Sequence, residues 1–164
     1  MNEIFTRVST RKFEDKDVGR DKIIKLLKAA MAAPSAGNQQ PWEFYVVTNK
    51  AKIRALSETN PYAGCCVGAP VVIVPCIRSK GMRFPEFCEI DLSIATENLW
   101  LEATSLGLGA VWIGTAPVKD RVEKASKVLG LPEELKVFAL IPVGYPAESK
   151  EQQDRFDESR IHYL

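Results

Sequence analysis

The chain has 164 residues, 46% of them hydrophobic and 26% charged, and a net charge of +1. That size suits one domain over residues 1–164 that buries about 68–70% of its unfolded surface without disulfide staples. Near-neutral charge leaves no basic field for nucleic acid or an anionic membrane, and the longest apolar run, "APVVIVPCI", is far short of the ~20 residues that span a bilayer.

No apolar run follows a basic start, so a signal peptide is not expected and the sequence reads as cytoplasmic. The cysteines, Cys65, Cys66, Cys76 and Cys88, form no C-x-x-C, and the single histidine, His162, is remote from them. No metal site is expected. Cys76, inside an apolar strand, reads as a small buried hydrophobe. Cys65–Cys66 lies in a Gly-rich loop that could expose a reactive thiol, but nothing nearby in sequence would lower its pKa, and the sequence assigns no role to Cys88.

In chain order, residues 2–8 suggest a short helix with Ile4 and Val8 on one side, followed by a polar connector. Asp21 can cap or charge the next helix, "DKIIKLLKAAMAA". There Ile23, Leu27, Ala30 and Met31 share a face widened by Ile24 and Leu26, while Lys22, Lys25 and Lys28 face water. Pro34 is expected to end it. "EFYVVTN" is a strand, "KAKIRALSE" a helix, "NPYAGCCVGAP" a loop and "VVIVPCI" a buried strand. A long helix runs from about residue 86 to 105 and is apolar over much of its surface, through Phe87, Ile90, Ile94, Ala95, Leu99 and Leu101. Gly107 and Gly109 lead into the strand "AVWIG". A helix from Pro117 to Gly130 carries Val118, Val122, Ala125 and Leu129, with Pro117 in its first turn. "KVFALIPVGYP" is the last strand, before a polar tail. The alternation of helices and strands taken alone suggests a parallel doubly wound sheet.

Familiar catalytic patterns are absent. The glycines of "GLGLGAVWIG" follow a helix and precede a strand, the reverse of a dinucleotide-binding turn. Glu86, Glu89 and Asp91 read as a solvated or dipole-favoured first turn. With no evident nucleophile or base, a borrowed cofactor is the natural source of chemistry. Two segments could hold one. In "RVSTRKF", an extended chain points Arg7, Ser9 and Arg11 the same way, offering guanidinium and hydroxyl donors to a phosphate. In "AAPSAGNQQPW", Ser35, Asn38, Gln39 and Gln40 suit a ring edged with N–H and C=O groups. Pro34 and Pro41 restrict that loop, and Trp42 anchors it.

The segments "RVSTRKF", "AAPSAGNQQPWEFYVV", "NLWLEATSLGLGAVWIG" and "VGYPAE", in this order and spacing, resemble the FMN-dependent nitroreductase family over almost the whole chain, as a short member. The resemblance implies an α+β fold: three layers, α/β/α, around a mainly antiparallel sheet, in an intertwined homodimer. The C-terminal segment, about 146–164, would reach over the partner with Phe156, Ile161 and Tyr163 as anchors, and the long helix would lie at the interface. FMN would sit between subunits. Arg7 and Ser9 match phosphate-binding positions, with Val8 contributing its backbone. Arg11 matches a basic position near the pyrimidine ring, where a cation would favour reduced flavin. Pro34, Ser35, Ala36 and Asn38 match the loop supplied by the partner subunit, and Gln40 matches a structural glutamine. Val111, Trp112, Ile113 and Gly114 match the segment beside the isoalloxazine, with a backbone N–H near Ile113 facing N5. Asn60 matches a flavin-contacting asparagine, and Arg155 a C-terminal phosphate contact. Two basic positions of larger relatives are missing, replaced by Gln153 and Ala63.

The implied activity is ping-pong hydride transfer: NADH or NADPH reduces FMN, which then reduces a nitroaromatic, a quinone or a similar small acceptor. The alternatives are another flavin-dependent reductase or dehalogenase, a dimer that carries or senses FMN with little turnover, and a cofactor-free interaction domain.

Overall fold

The computed structural model describes residues 2–164. Its elements are α1 (Glu3–Thr6), α2 (Arg20–Met31), β1 (Trp42–Val47), α3 (Lys50–Ser57), β2 (Val71–Arg78), α4 (Cys88–Ser105), β3 (Gly109–Ala110), β4 (Ile113–Gly114), α5 (Lys119–Leu129), β5 (Leu135–Val137) and β6 (Ala139–Gly144). A short 3-10 turn, Ala36–Asn38, lies in the loop after α2, and another, Ala63–Gly68, lies before β2.

Every pairing between these strands is antiparallel, which corrects the parallel sheet that alternation alone suggests. The order is β1-β2-β6-β3, with β5 also against β2 and β4 also against β6. The reason lies in one late insertion. β2 and β3, joined through α4, run in the same direction, but β6 from much later in the chain enters between them and opposes both. Local periodicity cannot announce such a placement.

Two-residue alternation gives the sheet two apolar faces. Trp42, Val71, Ile73, Ile141 and Val143 join α2 and α4 in one core. Val47, Val72, Val74, Cys76 and Leu140 join residues of α3 and α5 in the other. The result is a three-layer α/β/α arrangement around an antiparallel sheet, as expected. Fully burying one such Val, Leu or Ile side chain contributes about 1.5–3 kcal/mol.

Several local expectations change. The first helix ends at Thr6, so Val8 lies in extended chain beyond it. Asp21 charges the first turn of α2 but makes no side-chain cap, and the helix ends at Met31, before Pro34. Its buried stripe centres on Leu26 and Ala30, whereas Ile24 and Met31 are exposed. Lys22 does not simply face water: its ammonium donates to the Leu106 carbonyl at 2.9 Å and lies over the Tyr145 ring. The strand expected over 110–114 divides into β3 and β4, and the last strand divides into β5 and β6 around Phe138, whose N–H donates to the Pro75 carbonyl. Pro117 precedes α5 instead of opening it. The Val118 N–H donates to the Thr115 carbonyl, closing a turn before the helix begins.

Candidate functional site

The segment after α1 becomes an additional sheet edge. Arg7 leaves the helix in extended conformation. Ser9 bridges Ala110 in parallel, and the Thr10 N–H donates to the Ala110 carbonyl at 2.9 Å. Gly109 makes this approach possible, because a Cβ there would come within 2.4–2.6 Å of three Thr10 side-chain atoms. The tail is fastened to the same place. The Gln152 side-chain amide donates to the carbonyls of Ile4 and Arg7, at 3.0 and 2.9 Å.

Between these strands of chain lies a cavity of about 370 Å³, lined by Arg7, Val8, Ser9, Arg11 and Arg155. The structure thus brings together five residues that sequence separates by up to 148 positions. Four others at its wall were not singled out in the sequence: Trp100, Lys150, Gln152 and one carboxylate, Glu151. Trp100 is an indole shelf, with the Arg7 guanidinium 4.1 Å above its ring centroid. Arg7 Nε also lies 3.3 Å from Glu97 Oε1. That contact uses Nε, and the guanidinium carries four more N–H donors on its terminal nitrogens. Cations and a hydroxyl converging on one concave surface fit the phosphate of a mononucleotide.

The amide-rich loop is shaped by two residues to which the sequence assigns other roles, Asp91 and Gln39. Asp91 is not solvated but 3% exposed. Its Oδ1 accepts from the Ala36 N–H at 2.9 Å, and its Oδ2 accepts from Gln39 Nε2 at 2.8 Å. Gln39 also donates to the Phe84 carbonyl at 2.9 Å and accepts from the Phe84 N–H at 3.0 Å. Gln39 is therefore the chief tie of this loop, while Gln40 bonds only Asn38 Oδ1 through its side chain. Ser35 Oγ accepts from the Gln40 N–H at 3.0 Å. Gly37, Asn38 and Gln40 all hold positive φ, at 55, 55 and 47°. The available signal was Asp91 itself, an acid between Ile90 and Leu92 in a largely apolar helix.

Held this way, Pro34 and Asn38 are exposed, and Ser35 and Ala36 half-buried. The loop is anchored at Asp91, whereas Arg7 meets α4 at Glu97 and Trp100. At 1.5 Å per helical residue those anchors stand ~9–14 Å apart.

In the remaining predicted segment, Val111 and Ile113 are buried, Trp112 packs edge-on to Phe138 and Gly114 is exposed. The Ser9–Ala110 bridge sets this segment beside residues 7–11. Asn60 is 2% exposed and internally bonded: its Nδ2 donates to the Gly114 carbonyl at 2.8 Å, and its Oδ1 accepts from the Tyr62 N–H. It fixes the position of β4. Cys65 is half-buried beside Cys66. A hydrogen bond from the Cys66 thiol lowers its pKa to about 7 against the opposing effect of burial, and the Arg11 charge adds to the lowering. The thiol that sequence left unmarked is thus acidic and within the field of a site arginine. Among the described residues there is no cluster of His, Cys, Asp or Glu that could hold a metal, and no helix long and apolar enough to cross a membrane.

Comparison with known proteins places this geometry in context. The Nitroreductase family model matches residues 4–63 and 59–145. A protein of Methanothermobacter thermautotrophicus, provisionally named NADH dehydrogenase/NAD(P)H nitroreductase, is 44% identical over 99% of this chain and 85% of its own. A crystal structure of a Clostridium acetobutylicum protein, provisionally named NADH oxidase, superposes with a TM-score of 0.94 at 44% identity, covering 98% of this chain and 97% of that one. A Desulfovibrio desulfuricans structure, provisionally named a nitroreductase and determined in complex with FMN, has a TM-score of 0.86 at 26% identity and covers 99% and 95% of the two chains.

Proposed function

We propose a function from one premise: the chain belongs to the nitroreductase family. It is an FMN-dependent NAD(P)H oxidoreductase, with FMN as cofactor and NADH or NADPH as electron donor. When bound, FMN supplies the redox chemistry, taking a hydride from the nicotinamide and passing electrons to an acceptor. The chain's own residues supply position and charge. Arg7, Ser9 and Arg155 hold the phosphate, with Val8 contributing backbone. Arg11 sets a positive charge beside the ring system, favouring its anionic reduced form. Val111, Trp112, Ile113 and Gly114 form the wall along the ring, braced from behind by Asn60.

Pro34, Ser35, Ala36 and Asn38 serve the site of a second copy, so the working unit is a homodimer. Support comes from the loop's exposure, from its separation along α4 from the basic cavity, and from the side chains that α4 and its N-cap residue Phe87 leave uncovered. Phe87, Ile90 and Ile94 are 43, 55 and 38% exposed. The acceptor is a nitroaromatic, a quinone or a similar small planar oxidant that replaces the nicotinamide after it leaves. All four cysteines are free thiols, which fits a reducing cytoplasm.

The observation that carries this reading is the convergence of Arg7, Ser9, Arg11 and Arg155 on one cavity. The test is steady-state NADH and NADPH oxidation by FMN-loaded protein, with menadione or nitrofurazone as acceptor. Turnover dependent on FMN and acceptor is expected; a yellow protein that oxidises neither nicotinamide would be a carrier instead.

A further inference from the structure

We propose that Lys150 is a phosphate-binding cation of the FMN site, filling by another route the role left vacant at Gln153. The inference rests on the FMN reading above. It starts from one arrangement: Lys150 stands five residues before Arg155, yet both line the cavity shared with Arg7 and Ser9.

Two features place it there. Gln152 clasps the carbonyls of Ile4 and Arg7, which pins the adjoining tail against the N-terminal segment. Glu148 then sits between two cations, with Lys12 at 2.9 Å and Lys150 at 2.7 Å. Lys150 is the first cause of the lowered Glu148 pKa, and Lys12 the second. Lys12 and Lys150 together outweigh that carboxylate by one charge, and the cavity lining, with Glu151 against Arg7, Arg11, Lys150 and Arg155, stays cationic. An ammonium on a flexible four-carbon stem can turn from Glu148 to a dianionic phosphate without moving the backbone. The Lys150 side chain is 42% exposed, so solvent screening moderates its effect compared with Arg7, at 15%.

The experiment compares FMN and riboflavin, which differ by the phosphate, binding to the flavin-stripped full-length protein by fluorescence quenching. Lys150→Met should weaken FMN binding about three- to tenfold while leaving riboflavin binding unchanged. Adding Gln153→Lys to that variant should restore FMN affinity. Glu148→Gln separates this role from a purely structural one. If Lys150 acts only by tying down the tail through Glu148, removing the carboxylate will weaken FMN binding as much as removing the lysine. If it binds phosphate, Glu148→Gln will leave FMN affinity unchanged or raise it. Equal losses for FMN and riboflavin in Lys150→Met, or no loss for FMN, overturn the proposal while the FMN reading stands. Failure of the unaltered protein to bind FMN overturns both.

Discussion

Asp91 stands in the first turn of an 18-residue helix, yet both carboxylate oxygens serve loop residues 55 and 52 positions earlier. Asp91→Ala should strand the Ala36 N–H and one Gln39 donor, destabilising the fold by roughly 1–3 kcal/mol. A denaturant midpoint equal to that of the unaltered protein would show that the loop does not depend on this carboxylate. Arg7→Ala should reduce FMN affinity ~10- to 100-fold, as expected for loss of a charge-assisted hydrogen bond. Fluorescence titration checks this, and an unchanged dissociation constant would remove Arg7 from the site. Cys65 allows a prediction in pH. Its folded pKa of about 7 lies below the ordinary thiol value, so the fold favours the thiolate. That contribution to stability is present above the unfolded value and lost as pH falls through about 7. Reactivity follows the same group: alkylation by iodoacetamide should reach half its maximal rate at about pH 7. Cys76, pushed up to about 12 by burial, should stay unmodified in the folded protein. A Cys65 profile centred near ~8.5 would show an ordinary thiol.

At the scale of elements, the glycines mark where two pieces of chain approach most closely. Gly37 combines a φ of 55° with a Cβ direction that meets the Phe84 ring at 2.6 Å. Gly37→Ala should therefore lower the thermal midpoint through both backbone strain and the clash. A midpoint unchanged by the substitution would mean that the loop relaxes freely. Much at this scale was legible. β1, α3 and β2 follow from propensity and apolar runs, and Gly130 ends α5 at a φ of 67° as a C-terminal glycine should. What was not legible depended on distant partners. Nothing local distinguishes Gln39 from Gln40; only the positions of Asp91 and Phe84 make the first the tie. Phe138 reads as strand, but the register against β2 shifts by one residue between Val137 and Ile141, which interrupts the ladder there. Lys22 sits on the polar side of its helix by periodicity, yet the Leu106 carbonyl and Tyr145 ring claim it. The residues of the basic cavity were found through a resemblance of whole segments, because their individual patterns also suit a solvated connector.

For the whole molecule, the sheet carries helices on both faces, while α4 keeps part of its apolar surface uncovered. Ile90→Glu should therefore shift the protein toward monomer in analytical ultracentrifugation and reduce bound FMN in parallel. A dimer of unchanged stability would move the interface elsewhere. The central claim is that electrons pass through FMN held by this chain, with no side chain acting as redox carrier. Its most direct test is anaerobic titration of purified, FMN-loaded protein with NADH and then NADPH, followed by menadione. The account predicts that flavin absorption bleaches with at least one nicotinamide, one equivalent per FMN, and returns on adding the quinone. Flavin that stays oxidised with both nicotinamides would contradict it.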